Sequence, residues 1–158
     1  MRKSNSSPIR ETQRVKKKEF KALLKRSEVE SWRTLMGAFQ KIYRTLEQEL
    51  LKDNCSISRF QILLLIYFNG PMSASDIAQR LCVTRGNIST FLRRLEADKL
   101  SRSTPTGERG GRTLIELTEK GVKLFEDIFP DHIERVTKLM PQLAPVFLGT
   151  LQKIVRGE

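Results

Sequence analysis

The sequence predicts a mainly α protein with a small β-hairpin, and three observations lead there. A short helix pattern and a longer one are separated by the three-residue turn Cys82-Val83-Thr84, which is helix-turn-helix spacing. After Lys99 the period changes: Leu100 to Thr104 and Arg112 to Leu117 favour strands on either side of the turn-rich PTGERGG, which reads as a hairpin with a basic tip. On both sides of this block, apolar residues recur every three or four positions, the signature of packing helices. Together these predict a winged helix-turn-helix plus N- and C-terminal helices that pack on other helices, within the chain or as dimerisation helices.

Along the chain, residues 1–27 read as a basic N-terminal arm, partly helical after Ser7-Pro8, whose apolar residues keep no sustained period. Residues 28–57 read as an N-terminal dimerisation helix and loop. Val29, Trp32, Met36, Phe39, Tyr43, Leu46 and Leu50 form a narrow seam there, suited to packing on another helix within the chain or across a dimer. Residues 58–118 form the winged helix-turn-helix. Ser58 with Gln61 looks like a capping box before ILLLIYF, and Asn69-Gly70-Pro71 ends that helix. Ser73 with Asp76 opens the short helix, with Ile77, Ala78 and Leu81 inward, and Thr84 caps the next. Thr113, Ile115 and Leu117 alternate on one side of the second strand. Residues 119–158 hold the C-terminal dimerisation helices. Thr118 caps the first, Ile128, His132, Val136 and Leu139 mark one face, and Pro130 lies inside it. Pro141 and Pro145 bracket a break before a last helix carrying Val146, Phe147, Leu151, Ile154 and Val155.

Composition narrows the function. The 158 residues carry a formal charge of +11, and its placement says more than its total. Ten Lys and Arg stand against two Glu in residues 1–27, and seven against three acids in residues 84–112, while the remainder is nearly balanced. A polyanion is the expected partner; a merely solubilising surface is the bland alternative. No apolar run is long enough to span a membrane, and the N-terminal stretch lacks the apolar segment of a secretory signal. Two cysteines are too few for a disulfide framework or a zinc site, so the expected compartment is a reducing cytoplasm. With no Gly-rich phosphate loop, nucleophile–base constellation or metal cluster in the sequence, neither an enzyme nor a cofactor or metal is expected.

The stretch VTRGNISTFLRRLE (residues 83–96) carries the chemistry. On a helical wheel at about 100° per residue, Ile88, Phe91, Leu92 and Leu95 share the core face, while Gly86, Thr90 and Arg93 lie opposite with Ser89, Arg94 and Asn87 beside them. Arg85 falls nearer the core side but projects from the first turn. Arginine forks match guanine, an amide matches adenine, hydroxyls reach bases or phosphates, and a glycine lets a backbone approach closely. Such a helix enters a DNA major groove by its N-terminal turn. Thr84, Arg85, Gly86, Asn87, Ser89 and Thr90 are therefore expected nearest the bases and Arg93 and Arg94 nearer phosphate, with Thr84 also a cap. Ser73 and Ser75 at the start of the preceding helix join them as DNA-contact candidates. At the hairpin tip, Arg109 and Arg112 flank two glycines and are expected in the minor groove.

Other candidates are weaker. Cys55, in the loop before Ser58, reads as the more exposed thiol and Cys82 as a small buried filler; neither has a signal that lowers its pKa. His132, without a ligand-spaced partner, reads as a helix-surface or interface residue. Trp32, Phe39, Tyr43 and Phe68 are candidates for lining a ligand pocket, although aromatics at helical spacing are more often core.

LCVTRGNISTFLRRLEADKLSRS followed by RTLIELTEKG resembles the MarR family of bacterial winged-helix regulators, over roughly Ser58 to Gly121. The resemblance implies a homodimer with interleaved terminal helices, each protomer offering one winged helix to a pseudo-palindromic double-stranded DNA site. It also implies transcriptional regulation, with repression the expected sense, and release by a small lipophilic or phenolic effector. The family's wing carries Asp-x-Arg, which would fall near Arg109 and Gly111; this chain has Glu108, Arg109 and Arg112 instead. The location implied is the bacterial or archaeal cytoplasm, at the nucleoid. The alternative is an architectural or replication-associated winged-helix protein without ligand sensing, which the basic arm would suit.

Overall fold

The structure, a computed structural model, describes residues 8–106 and 113–158, with the backbone alone for residues 8–12 and 15. Two compact units divide between Tyr43 and Arg44. The first holds helix α1 (Pro8–Leu23) and the longer part of α2 (Ser27–Lys52). Pro8 stands at the first position of α1, where its missing N–H and fixed φ favour a helix start. The Lys- and Glu-rich run that follows has good intrinsic propensity, so the arm is helical from Pro8 to Leu23 even though its apolar residues keep no strict period. Phe20 and Leu23 on α1, Leu24 just after it, and Trp32, Phe39 and Tyr43 on α2, are exposed.

The second unit begins with the end of α2, where Leu46 and Leu50 are buried. It continues through α3 (Ile57–Asn69), β1 (Met72–Ser73), α4 (Ala74–Arg80), α5 (Arg85–Ala97), β2 (Ser101–Pro105), β3 (Thr113–Leu117), α6 (Glu119–Leu139) and α7 (Pro145–Arg156). The sheet is antiparallel with order β1-β3-β2. The hairpin pairs Ser101 with Leu117 and Pro105 with Thr113. The two-residue β1, which the sequence does not announce, pairs Met72 with Ile115 and Ser73 with Leu114. Of the three β3 residues expected on one side, Ile115 is buried, Leu117 half-buried and Thr113 exposed.

Local chemistry explains the boundaries. The cap of α3 is Ser56, whose side chain accepts from Arg59 N at 3.2 Å, not Ser58. Glu47 of α2 shares that helix start, accepting from Ile57 N at 2.6 Å. Three helices end alike: Asn54, Cys82 and Lys99 have φ of 54°, 54° and 59°, and the residue after each donates back into its helix. These bonds are Cys55 N to Leu50 O, Val83 N to Ala78 O and Leu100 N to Leu95 O. They define Schellman endings, which place an apolar residue just past the left-handed position, against the helix. That reverses the expectation for the cysteines. Cys55 occupies the apolar position and is fully buried, whereas Cys82 occupies the left-handed position and is exposed.

The core lies where α3, α5 and α6 meet the sheet, with Phe60, Leu63, Ile77, Ile88, Leu95, Ile115 and Phe125 all buried. His132 is another correction: it is buried, its ring 4.2 Å from that of Phe60 in the α3–α6 packing. Burial, and then the charge of Arg135, hold its pKa below the ordinary histidine value. By contrast α7 buries no residue; Val146, Phe147, Ile154 and Val155 are exposed.

Candidate nucleic-acid interface

Helix α5 is held by its apolar stripe. Ile88, Leu92 and Leu95 are buried and Phe91 is half-buried, which fixes the rotation of the opposite face. Thr84 caps it, accepting from Asn87 N at 3.4 Å. Arg85, Gly86, Asn87, Ser89, Arg93 and Arg94 are exposed, and Thr90 is half-buried. The structure therefore brings the residues expected from the wheel onto one accessible side of one helix.

The polar groups on that side are ordered in specific ways. Ser89 Oγ donates to Arg85 O at 2.9 Å and Thr90 Oγ1 to Gly86 O at 3.2 Å. Both hydroxyl protons are committed to the helix, which leaves their oxygens as acceptors toward a base amino group. Arg93 Nε lies 3.4 Å from Ser89 O, which lays its side chain along the helix. Among the described residues, no carboxylate stands within ion-pair distance of Arg85, Arg93 or Arg94. A Cβ at Gly86 would meet nothing within 4 Å, so the fold itself does not demand glycine there.

Helix α4 stands before α5 in helix-turn-helix order. Ser73 does not join the exposed set: it is buried, accepts from Asp76 N at 3.2 Å and donates to Asp76 Oδ2 at 2.7 Å. Its hydroxyl proton is committed to the cap of α4. Ser75 is half-buried and, with Arg85 and Thr113, lines a polar recess of about 380 Å³ where α4, α5 and the wing converge. At the base of the wing, Glu116 Oε1 accepts from Arg102 Nε at 2.7 Å and from Thr104 Oγ1 at 2.8 Å. Those bonds hold the Glu116 carboxyl below its ordinary pKa and occupy Arg102. Arg109 and Arg112, with Glu108, lie outside the described residues.

The four aromatics proposed for a pocket are exposed rather than core. Phe39 and Tyr43 stand 5.5 Å apart on α2, and Phe68 on α3 stands 5.8 Å from Phe129.

The sequence reading missed how the exit of α5 is held. Arg59 ion-pairs with Asp98, and Lys120 Nζ donates to Asp98 O at 2.9 Å. Thr118 Oγ1 donates to Lys99 O at 2.7 Å. These partners are distant in sequence and follow no local spacing rule, so only the structure reveals them.

A capped helix with a bare, cationic face, preceded by a short helix and followed by a three-stranded wing, defines a winged helix-turn-helix DNA-binding protein. Residues 55–105 match the profile of the MarR family. The HTH-type transcriptional regulator MhqR of Bacillus subtilis is 28% identical over 112 residues, 70% of this chain and 76% of that protein. The crystal structure of AbsC, a MarR family transcriptional regulator from Streptomyces coelicolor, superposes with a TM-score of 0.74 at 25% identity, covering 85% of this chain and 98% of that one. NadR, solved in complex with 4-hydroxyphenylacetate, has the same fold, with a TM-score of 0.63 at 24% identity over 78% of this chain and 88% of its own. The match to the MarR family spans residues 55–105, and with the similarity to MhqR and AbsC it makes the chain a DNA-binding transcriptional regulator rather than an enzyme. Among the described residues, no helix is long and apolar enough to cross a membrane.

Proposed function

We propose that this regulator works as a homodimer on a pseudo-palindromic operator, as a repressor released by a small lipophilic or phenolic ligand. The observation that carries the DNA reading is the exposed face of α5. Arg85, Asn87, Ser89, Thr90, Arg93 and Arg94 lie together there, and its three arginines have no carboxylate partner among the described residues. Asn87 and the hydroxyls face the bases, and Arg93 and Arg94 face phosphate. Two such helices would sit one DNA turn apart, about 34–36 Å. The wing arginines Arg109 and Arg112 are assigned to the minor groove on their sequence alone.

Dimerisation is supported by apolar surface. Helix α7 exposes Val146, Phe147, Ile154 and Val155, and α1 and α2 expose Phe20, Leu23, Trp32 and Phe39. Large apolar side chains left exposed in such numbers support a protein interface. The effector reading rests on the exposed aromatics Trp32, Phe39, Tyr43 and Phe68 and on NadR, whose structure holds a phenolic acid.

Selection from a randomised DNA pool, with full-length protein and with a variant lacking residues 1–27, tests the proposal. Recovery of a palindrome with half-sites one turn apart, together with a dimeric sedimentation mass, is the expected result. Binding without sequence preference that disappears with the arm would replace it by the architectural reading. Phe147→Asp should shift the sedimentation mass to that of a monomer; an unchanged dimer would remove α7 from the interface.

A further inference from the structure

We infer that Arg59 is a positioning residue for DNA recognition. By tying the C-terminal end of α5 to the turn between α2 and α3, it sets the pitch of the recognition helix and hence the half-site spacing that a dimer reads. The inference rests on the dimeric DNA-binding function proposed above.

Arg59 lies in the first turn of α3, and its guanidinium reaches two helix endings at once. One arm donates to Asn54 O at 2.9 Å, at the left-handed residue that closes α2. The other ion-pairs with Asp98, the residue that closes α5. A planar fork with donors on separate nitrogens suits this two-way hold, and a lysine ammonium would not reproduce it.

Apolar packing does not do the same work at this corner. Between the two endings lies an open cleft of about 350 Å³, with Leu51, Phe91, Arg94 and Leu95 on its walls. Arg59 and Asp98 span that cleft as a strut. On its far side the exit of α5 is fixed to the start of α6. Lys120 Nζ holds Asp98 O, Thr118 N holds Leu100 O at 3.1 Å, and Gly121 packs directly against the Leu100 carbonyl. Those contacts fix the exit relative to α6, whereas Arg59 links it to α2.

Geometry turns this strut into a lever. Helix α5 has 13 residues, about 20 Å of length. A displacement of about 1 Å at its C-terminal end tilts it by about 3°, re-aiming Arg85 and Asn87 at the other end. The pair is also partly exposed, with 21% of the Arg59 side chain and 52% of the Asp98 side chain accessible. Exposed ion pairs add little to stability, so its loss should leave the fold standing and appear in recognition.

The test uses full-length protein and duplexes carrying two half-sites of the selected operator, with the spacer varied in single base pairs. Arg59→Met should broaden or shift the preferred spacer while affinity for an isolated half-site stays within about twofold. Asp98→Asn, which keeps size and removes the charge, should do the same. The swap Arg59→Asp with Asp98→Arg should recover part of the preference. Thermal melts accompany each variant. An unchanged spacer profile in both single variants overturns the inference, as does a uniform loss on every spacer that tracks a lowered melting temperature. A wild type that selects no paired half-sites overturns instead the dimeric reading beneath it, and the inference falls with it.

Discussion

Replacing Gly121 by alanine should destabilise the protein through one contact. Gly121 is the third residue of α6, and a Cβ there would stand 2.0 Å from Leu100 O and 3.0 Å from Leu100 C. The obstacle is backbone, so no side chain can swing aside. Relief requires the Leu100 carbonyl to retreat by about 1 Å, yet that oxygen accepts from Thr118 N at 3.1 Å and the preceding carbonyl accepts from Thr118 Oγ1 at 2.7 Å. Weakening two hydrogen bonds costs about 1–3 kcal/mol, and forced overpacking adds about 1–3 kcal/mol. Alanine returns at most about 1 kcal/mol of helix propensity. The net expectation is a loss of about 2–4 kcal/mol, or roughly 5–15 °C in Tm for a chain of this size. Differential scanning calorimetry on wild type and Gly121→Ala reads it directly. Operator affinity should fall as well, because Leu100 links α5 to β2. A melting temperature within a degree of wild type would refute the reasoning, since it would mean that the exit of α5 yields without resistance.

Arg93→Ala should weaken DNA binding. An equal loss on all sequences with a salt slope reduced by about 1 identifies a phosphate contact, a loss of about 1–3 kcal/mol confined to one base position identifies readout, and no change removes Arg93 from the interface. In the native protein a thiol reagent should modify Cys82 rapidly and Cys55 only on unfolding, because burial pushes the Cys55 thiol up to about 11; equal native rates would contradict the burial pattern. Since unfolded Cys55 ionises first, its contribution to stability is complete below about pH 9 and declines as pH rises toward 11. His132 has the opposite sense. Its folded pKa lies below the ordinary 6.5, so the unfolded chain takes up the proton first and stability falls as pH drops below that value. His132→Phe should flatten this acid limb in pH-dependent melts, and an unchanged limb would assign it elsewhere.

The α5 face was legible in the sequence because periodicity alone separates buried Ile88, Leu92 and Leu95 from exposed Arg85, Asn87 and Arg93. Thr84, Ser73 and Thr118 were legible as caps because short polar side chains before an apolar period have few other uses. What escaped depends on tertiary partners or on backbone handedness. Ser58 looked like a cap, but Glu47 and Ser56 together start the helix two residues earlier. The cysteines were read in reverse because residue type says nothing about which position of a helix ending is left-handed. His132 is buried because Phe60 stacks on it from another helix. Ser73 with Asp76 was legible as a cap, but its pairing with β3 was not.

That pairing reaches further. Ser73 is at once the last residue of β1, joined to Leu114 of the wing, and the cap of α4. Ser73 thus sews the scaffold of the recognition helix to the wing, while Thr118 and Gly121 fasten the far end of α5 to the start of α6, which follows directly on β3. Under the proposed binding mode, the recognition helix and the described strands of the wing form a template of fixed span. A duplex whose groove width does not already suit that span must deform to meet it, so flexible steps and narrow A·T tracts between the contacted bases should be selected although no side chain touches them.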